Sequence, residues 1–240
     1  DHEGLVLAVE AGRRCAAETG IGGMAGFNAL TLAVSHLLQG DYDGTSAAIT
    51  EAKSTARSSY YFLSLQLSLV QAWVAAWKGN SSALHFARSM RQTGKNSGNV
   101  IQEILAKTSE CIAAALFASP DVATQVAELR QLALANRYPY SLIHADLLDA
   151  WRLLHAGDQT AALPFLQSGL KLLGEVSAGY LTSAVPQILQ PLCALALRHS
   201  IEPEVARSLI HVFRLAPPAD SPDSWPWPVT VRCFGGFELL

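Results

Sequence analysis

Apolar residues recur along this chain at three- and four-residue spacing, in blocks separated by short polar turns that carry glycine. That period belongs to amphipathic helices. It predicts first helices at roughly 24–38, 60–77, 101–117, 141–155 and 180–197, and second helices at roughly 43–57, 81–93, 120–135, 159–173 and 202–214. Residues 5–18 read as the second helix of a unit whose first half lies upstream, which leaves an apolar face uncovered at the N-terminus. Past Leu215 the helical period stops. The run Ala216-Pro217-Pro218-Ala219-Asp220-Ser221-Pro222-Asp223-Ser224 cannot continue a helix, so 216–228 reads as a Pro-rich linker and hinge. From 229 the spacing becomes two: Val229, Val231 and Cys233 alternate with Thr230 and Arg232, Gly235-Gly236 marks a turn or bulge, and Phe237 and Leu239 resume the alternation. The segment 229–240 therefore reads as a strand region.

The helical blocks repeat. Gly40-Asp41, Gly79-Asn80 and Gly157-Asp158 each close an apolar stretch and open an Ala-rich one, and Ala118-Ser119 falls midway in the longer gap, so four turns lie on one period of about 39. Seven residues before each turn stand Ala33, Ala72, Cys111 and Ala150, all small. Ten before stand Leu30, Leu69, Thr108 and Leu147; six before stand Val34, Trp73, Ile112 and Trp151. A small residue at a fixed helix position lets the next helix approach closely, and large neighbours fill the contact. Asp41, Asn80, Ser119 and Asp158 stand where a short polar side chain caps the following helix. The fifth unit departs from register: Ser200 is four residues beyond the expected turn, and Pro186, Pro191 and Pro203 bend or cap its helices.

The fold class is therefore all-α, with the repeat domain over 1–215. These helix-turn-helix pairs resemble the tetratricopeptide family, with a period of 39 in place of 34 and most of the family's aromatic signature missing. The resemblance implies a right-handed solenoid with one concave face, and the long-period form is similar to the sensor regions of large bacterial ATP-dependent transcription activators. The stretch from Trp225 to Leu240 resembles the opening strands of OmpR/PhoB-like winged-helix DNA-binding domains, in which a V-x-V-x-x-F/L-G-x-F-E-L/V segment precedes the recognition helix. On that resemblance 229–240 is the first strand of a truncated DNA-binding domain, and DNA would be bound only through residues beyond Leu240.

Composition narrows the function further. Half of the 240 residues are apolar and only 15% charged, enough for a large core and too hydrophobic for disorder. No apolar run reaches the roughly 20 residues needed to span a bilayer. The net charge of −3 offers no basic surface for phosphates. The four cysteines, Cys15, Cys111, Cys193 and Cys233, form no C-x-x-C pair, so the default is a reducing cytoplasm, with no disulfide framework and no zinc site. With no initiator Met and an end within a strand, the chain reads as part of a longer protein.

No motif for catalysis or for a cofactor stands up. Gly20-Ile21-Gly22-Gly23-Met24-Ala25 matches G-x-G-x-x-A but comes after a helix where a dinucleotide site needs a strand. Thr93-Gly94-Lys95-Asn96-Ser97 lacks the first glycine and the Ser/Thr of a phosphate loop. His144, Asp146, Asp149, Arg152 and His155 share one helix, but His144 and His155 are separated by about 16 Å along its axis, too far for one metal ion, so this set reads as a solvated face. The candidate site is instead a ligand or peptide groove on the concave face, through Gln66, Trp73, His144 and Trp151, which are thirteen and six residues before the second and fourth turns. Packing between repeats is the competing reading for Trp73 and Trp151, and equally for Trp77, Tyr60 and Tyr61. The expected function is regulatory and non-enzymatic. A protein or peptide partner, or a small-molecule effector, binds the repeats, and the linker relays that state to a DNA-binding domain; oligomers are compatible with this. The alternatives are a constitutive peptide-binding scaffold and an autoinhibitory lid on an ATPase module of the same protein.

Overall fold

The computed structural model describes residues 2–20, 22–55, 61–176, 181, 183–227, 231–232 and 238–239. Among these the chain is all-α apart from one short strand pair at its C-terminal end. The helices are α1 (His2–Thr19), α2 (Gly22–Leu38), α3 (Tyr42–Thr55), α4 (Tyr61–Trp77), α5 (Ser82–Ser97), α6 (Val100–Leu116), α7 (Val122–Ala135), α8 (Pro139–His155), α9 (Gln159–Val176), α10 (Pro186–Arg198) and α11 (Pro203–Val212). Two-residue strands β1 (Val231–Arg232) and β2 (Glu238–Leu239) pair antiparallel, Val231 opposite Leu239. Tyr60, Cys233 and the Gly235-Gly236 turn lie outside the described residues.

The helix ends arise from local chemistry. Between the helices of a pair the backbone turns through a left-handed residue at Gly40, Gly79, Ala118 and Gly157, each 39 residues after the last. At each, the next N–H reaches back five residues: Asp41 to the His36 carbonyl at 2.9 Å, Asn80 to Ala75 at 2.8 Å, Ser119 to Ala114 at 2.9 Å and Asp158 to Leu153 at 3.0 Å. This is the Schellman closure, and it satisfies carbonyls that a helix end otherwise leaves unpaired. Three of the four turns also carry a cap. The carboxylate of Asp41 accepts from Gly44 N–H at 2.9 Å, the Asn80 amide oxygen from Ser82 N–H at 2.9 Å, and Asp158 from Ala161 N–H at 3.0 Å. Ser119 differs from expectation: its hydroxyl donates to the Asp121 carboxylate and caps nothing. Proline supplies the first helical residue of α8, α10 and α11, where its missing N–H costs no bond. Pro186 thus starts α10 six residues later than the apolar pattern indicates.

Ala118 is the one turn residue of the four with a side chain, at φ 50°. A left-handed L-residue costs roughly 1–2 kcal/mol, of which glycine's greater freedom in the unfolded chain gives back part. Ala118→Gly is therefore expected to stabilise the fold by about 0.5–1 kcal/mol and to raise the melting temperature by about 2 °C. Thermal unfolding with circular dichroism checks this, and an unchanged or lower midpoint would mean that the turn relaxes at no cost.

Each helix packs on its neighbours in sequence. In addition α2 packs on α4, α4 on α6, α6 on α8, α8 on α10, and α9 on α11. The small residues seven before each turn, Ala33, Ala72, Cys111 and Ala150, are all buried at these contacts. A large apolar core runs from the ends of α2 and α4 through α11, and two smaller clusters hold α2 to α4 and α4 to α6. Trp73 packs against all three. At the N-terminal end Leu7 of α1 is 66% exposed. Beyond α11 the chain does not hang free as a hinge. Leu215 and Trp225 are buried in the large core, Gln190 Nε2 donates to the Ala216 carbonyl at 2.7 Å, and Arg198 pairs with the Asp220 carboxylate at 2.5 Å. The indole of Trp225 offsets the entropy of ordering the Pro-rich segment, because nearly its whole apolar surface leaves water.

Candidate functional site

Two cavities lie in succession along the same helix faces. On α4, Gln66, Val70, Trp73 and Trp77 are spaced by four, three and four residues and form one stripe. On α2, Phe27, Leu30, Thr31, Val34 and Leu38 form its counterpart. Phe27, Leu30, Thr31 and Val34 enclose a cavity of about 200 Å³ with Gln66, Val70 and Trp73. One turn further along, a cavity of about 380 Å³ is walled by the end of α2 with the turn after it (Leu38, Gln39, Gly40, Tyr42), by Trp77, by the start of α10 (Pro186, Gln187, Gln190), and by Phe213 to Ala216 after α11. Its walls come from four distant parts of the sequence.

The two tryptophans of these cavities are held by hydrogen bonds. The Trp73 indole N–H donates to Ser109 Oγ of α6 at 3.1 Å, and the Trp77 indole N–H to the Ala184 carbonyl at 2.9 Å. Gln187 Nε2 donates to the Trp77 carbonyl at 3.0 Å, and the Trp77 ring centre lies 6.1 Å from that of Phe213. Lys78 Nζ stands 5.0 Å from the centre of the Tyr42 ring, a cation on an aromatic face.

The four expected groove residues do not form one surface. Gln66 and Trp73 meet at the smaller cavity. His144 is buried in another part of the fold, where Ser183 lies against it. Its Nδ1 lies 2.8 Å from the Tyr140 carbonyl and its Nε2 2.7 Å from Ser183 Oγ. A carbonyl can only accept, so Nδ1 carries the hydrogen and Nε2 accepts from the Ser183 hydroxyl. Trp151 is half-buried at the end of α8 with its ring 3.9 Å from that of His155, and its indole N–H is shut from water with no acceptor. The bonds of Ser183 to His144 of α8 and of Ala184 to Trp77 at the end of α4 show that residues 183–184 bridge two helices well apart in the chain. Ser183 takes the space that the expected groove would need at His144. The signal in the sequence is the four-residue slip of the fifth unit.

The solvated-face reading of α8 is also corrected. Asp146 is 5% exposed; Arg130 of α7 pairs with it and with Asp149 at 2.8 Å, Ser168 of α9 donates to it at 2.7 Å, and Arg152 lies 3.3 Å from Asp149. A second charged cluster joins α5, α6 and α7 through Lys107, Glu110, Glu128, Arg88 and Arg91. Both clusters sit between helices and tie them together. Burial pushes the thiols of Cys111 and Cys193 up to about 12, so both stay protonated and poor nucleophiles at neutral pH. Thr93 to Ser97 lies within α5, where Gly94 lets α6 approach: an added Cβ would stand 3.2 Å from the Glu103 nitrogen. Among the described residues no three His, Cys, Asp or Glu side chains are placed to share a metal ion, and no helix is long and apolar enough to cross a membrane.

Burial holds the pKa of His144 below its ordinary 6.5, with the Tyr140 carbonyl opposing in part. The unfolded chain therefore takes up a proton more readily than the folded one. The contribution of neutral His144 is complete above pH 6.5 and is lost as pH falls from there through the lower folded pKa. Urea midpoints are expected to fall over that window, and His144→Leu should flatten the dependence even though it loses stability by breaking the bond to Ser183. An equal slope in wild type and variant would place the titration elsewhere.

Compared with protein-family models, with curated proteins and with solved structures, the chain finds no match.

Proposed function

We propose that the chain is the regulatory helical-repeat part of a bacterial cytoplasmic transcriptional regulator. It binds an effector or partner, without catalysis of its own, and relays that state to the C-terminal segment. The architecture in this reading is a right-handed tetratricopeptide-like solenoid, supported by left-handed turn residues 39 apart and by the α2, α4, α6, α8, α10 packing order. One observation carries the relay. The larger cavity is walled jointly by the first turns of the repeat region and by the residues leaving α11, while Leu215 and Trp225 beyond it are buried in the same core. A ligand that favours one packing of these walls shifts the C-terminal segment by its differential affinity for the two arrangements. The strand pair of Val231–Arg232 with Glu238–Leu239 and the winged-helix resemblance support DNA binding by a domain beyond Leu240 as the output.

The test is hydrogen exchange over residues 213–227. Trp77→Leu removes the bond to Ala184 and the contact with Phe213; it is expected to speed exchange in that segment while α7 to α9 keep their protection. In a reporter assay with the complete gene, the same substitution should change promoter output at unaltered protein level. Unchanged exchange at 213–227 defeats the relay. The scaffold reading is favoured by a different feature: the open cavity at Gln66 and Trp73 lies on the α4 stripe that, one turn on, holds another part of this same chain through the Ala184 carbonyl.

A further inference from the structure

The larger cavity has a definite chemical bias. Leu38, Trp77, Phe213 and Leu215 give it apolar walls, and of all its lining residues Arg214 alone carries charge. Among the described residues no carboxylate pairs with Arg214, and none pairs with Lys78, the next cation along, which rests on the Tyr42 ring of the cavity wall. The start of α10 at Pro186 and Gln187 forms another wall, and the positive end of its helix dipole adds to the same potential. Asp41, between the wall residues Gly40 and Tyr42, has its carboxylate engaged by the Gly44 N–H at 2.9 Å and by His36 at 2.8 Å, and no carboxylate lines the cavity itself. An apolar chamber with a cationic rim selects for charge as well as shape. At about 380 Å³ it is large enough for a ring or short chain with one polar group.

We propose that this cavity binds an organic anion, an apolar body carrying one carboxylate. The body rests against the wall that Leu38, Trp77 and Phe213 form together, and the carboxylate meets the Arg214 guanidinium. Resting on the reading of the domain as a sensor, this names the effector class and the point of regulation: the anion bridges α4 and α10 to residues 213–216, and so fixes the start of the C-terminal segment.

Arg214 offers an unusually clean test, because its φ of 48° suits glycine better than any side chain. Arg214→Gly removes the charge while relieving the backbone, so it should melt no lower than wild type. The probes are 4-phenylbutyrate and its neutral amide, 4-phenylbutyramide, titrated by calorimetry. Wild type is expected to bind the anion about tenfold more tightly than the amide, and Arg214→Gly to bring that ratio to about one, with Arg214→Lys restoring part of it. Equal affinity for the two probes in wild type, a ratio unmoved by Arg214→Gly, or no binding of either at millimolar concentration overturns the proposal. Hydrogen exchange at 213–227 is read in the same samples. Protection by 4-phenylbutyrate supports both readings, whereas charge-selective binding without protection keeps the anion site and defeats the relay.

Discussion

Arg130→Ala is expected to destabilise the fold by about 3 kcal/mol, more than any exposed charge in the chain could. Arg130 reaches from α7 to two carboxylates of α8, and Ser168 of α9 donates to the more buried one, so three helices meet at the Asp146 carboxylate. Without it Asp146, 5% exposed, keeps only the Ser168 hydroxyl, and Asp149 only Arg152 at 3.3 Å. A carboxylate left in that position without its cation loses the interaction that offset its desolvation. The figure lies at the lower end for a broken buried pair because the Arg130 side chain is 29% exposed, which lets water in when the side chain is cut back. Urea unfolding measures it. Arg207→Ala, which breaks the exposed pair with Glu204, serves as the control and should change little. A loss below about 1 kcal/mol for Arg130→Ala would show that water solvates Asp146 as well as the guanidinium does.

The second large effect concerns Lys107, whose side chain is 2% exposed and whose ammonium lies 2.7 Å from Glu128 and 3.9 Å from Glu110. Glu128→Ala strands that ammonium in the core with one distant partner, and is expected to cost about 2–3 kcal/mol. Lys107→Met keeps the volume and removes the buried charge. Glu110 retains Arg91 at 2.9 Å, and Glu128, about half exposed, turns to water, so this change should cost less than about 1 kcal/mol. The ordering is the test: deleting the exposed acid should hurt more than replacing the buried base. The hydrogen bond from Lys107, reinforced by its charge, holds the Glu128 carboxyl below its ordinary 4.5. The stability that this carboxylate adds is therefore complete above pH 4.5 and is lost as pH falls through its lower folded value. A Lys107→Met penalty as large as that of Glu128→Ala would mean that the ion pair itself holds α6 to α7.

Much of the helical framework is legible in the apolar period, and the reason is local. A helix is selected by the spacing of apolar residues with i+3 and i+4 neighbours, and its end by a residue tolerant of left-handed φ, as at Gly40, Gly79 and Gly157. Ala118 is legible only because the interval demands a turn there, and the structure shows the same left-handed backbone without glycine's advantage. Arg137, Ser200 and Arg214 adopt that backbone too, with nothing in their side chains to announce it.

The candidate site is legible by half. Gln66 and Trp73 share a cavity because they lie on one stripe of one helix, which sequence spacing fixes. His144 occupies the equivalent register of α8 yet is sealed by Ser183, thirty-nine residues further along the chain. Register says which face a side chain occupies and says nothing of what else crosses that face. By itself the sequence determined the helices, their order and the small residues that let them stack, all consequences of neighbours a few positions apart. Tertiary structure alone decided that Ser183 would cover His144, and that a segment rich in proline would dock through Trp225. It also decided that Arg214 would face a cavity bounded by Tyr42 and Trp77. Those outcomes depend on side chains from thirty-nine to well over a hundred residues apart competing for the same space, a competition that packing resolves and no local pattern records.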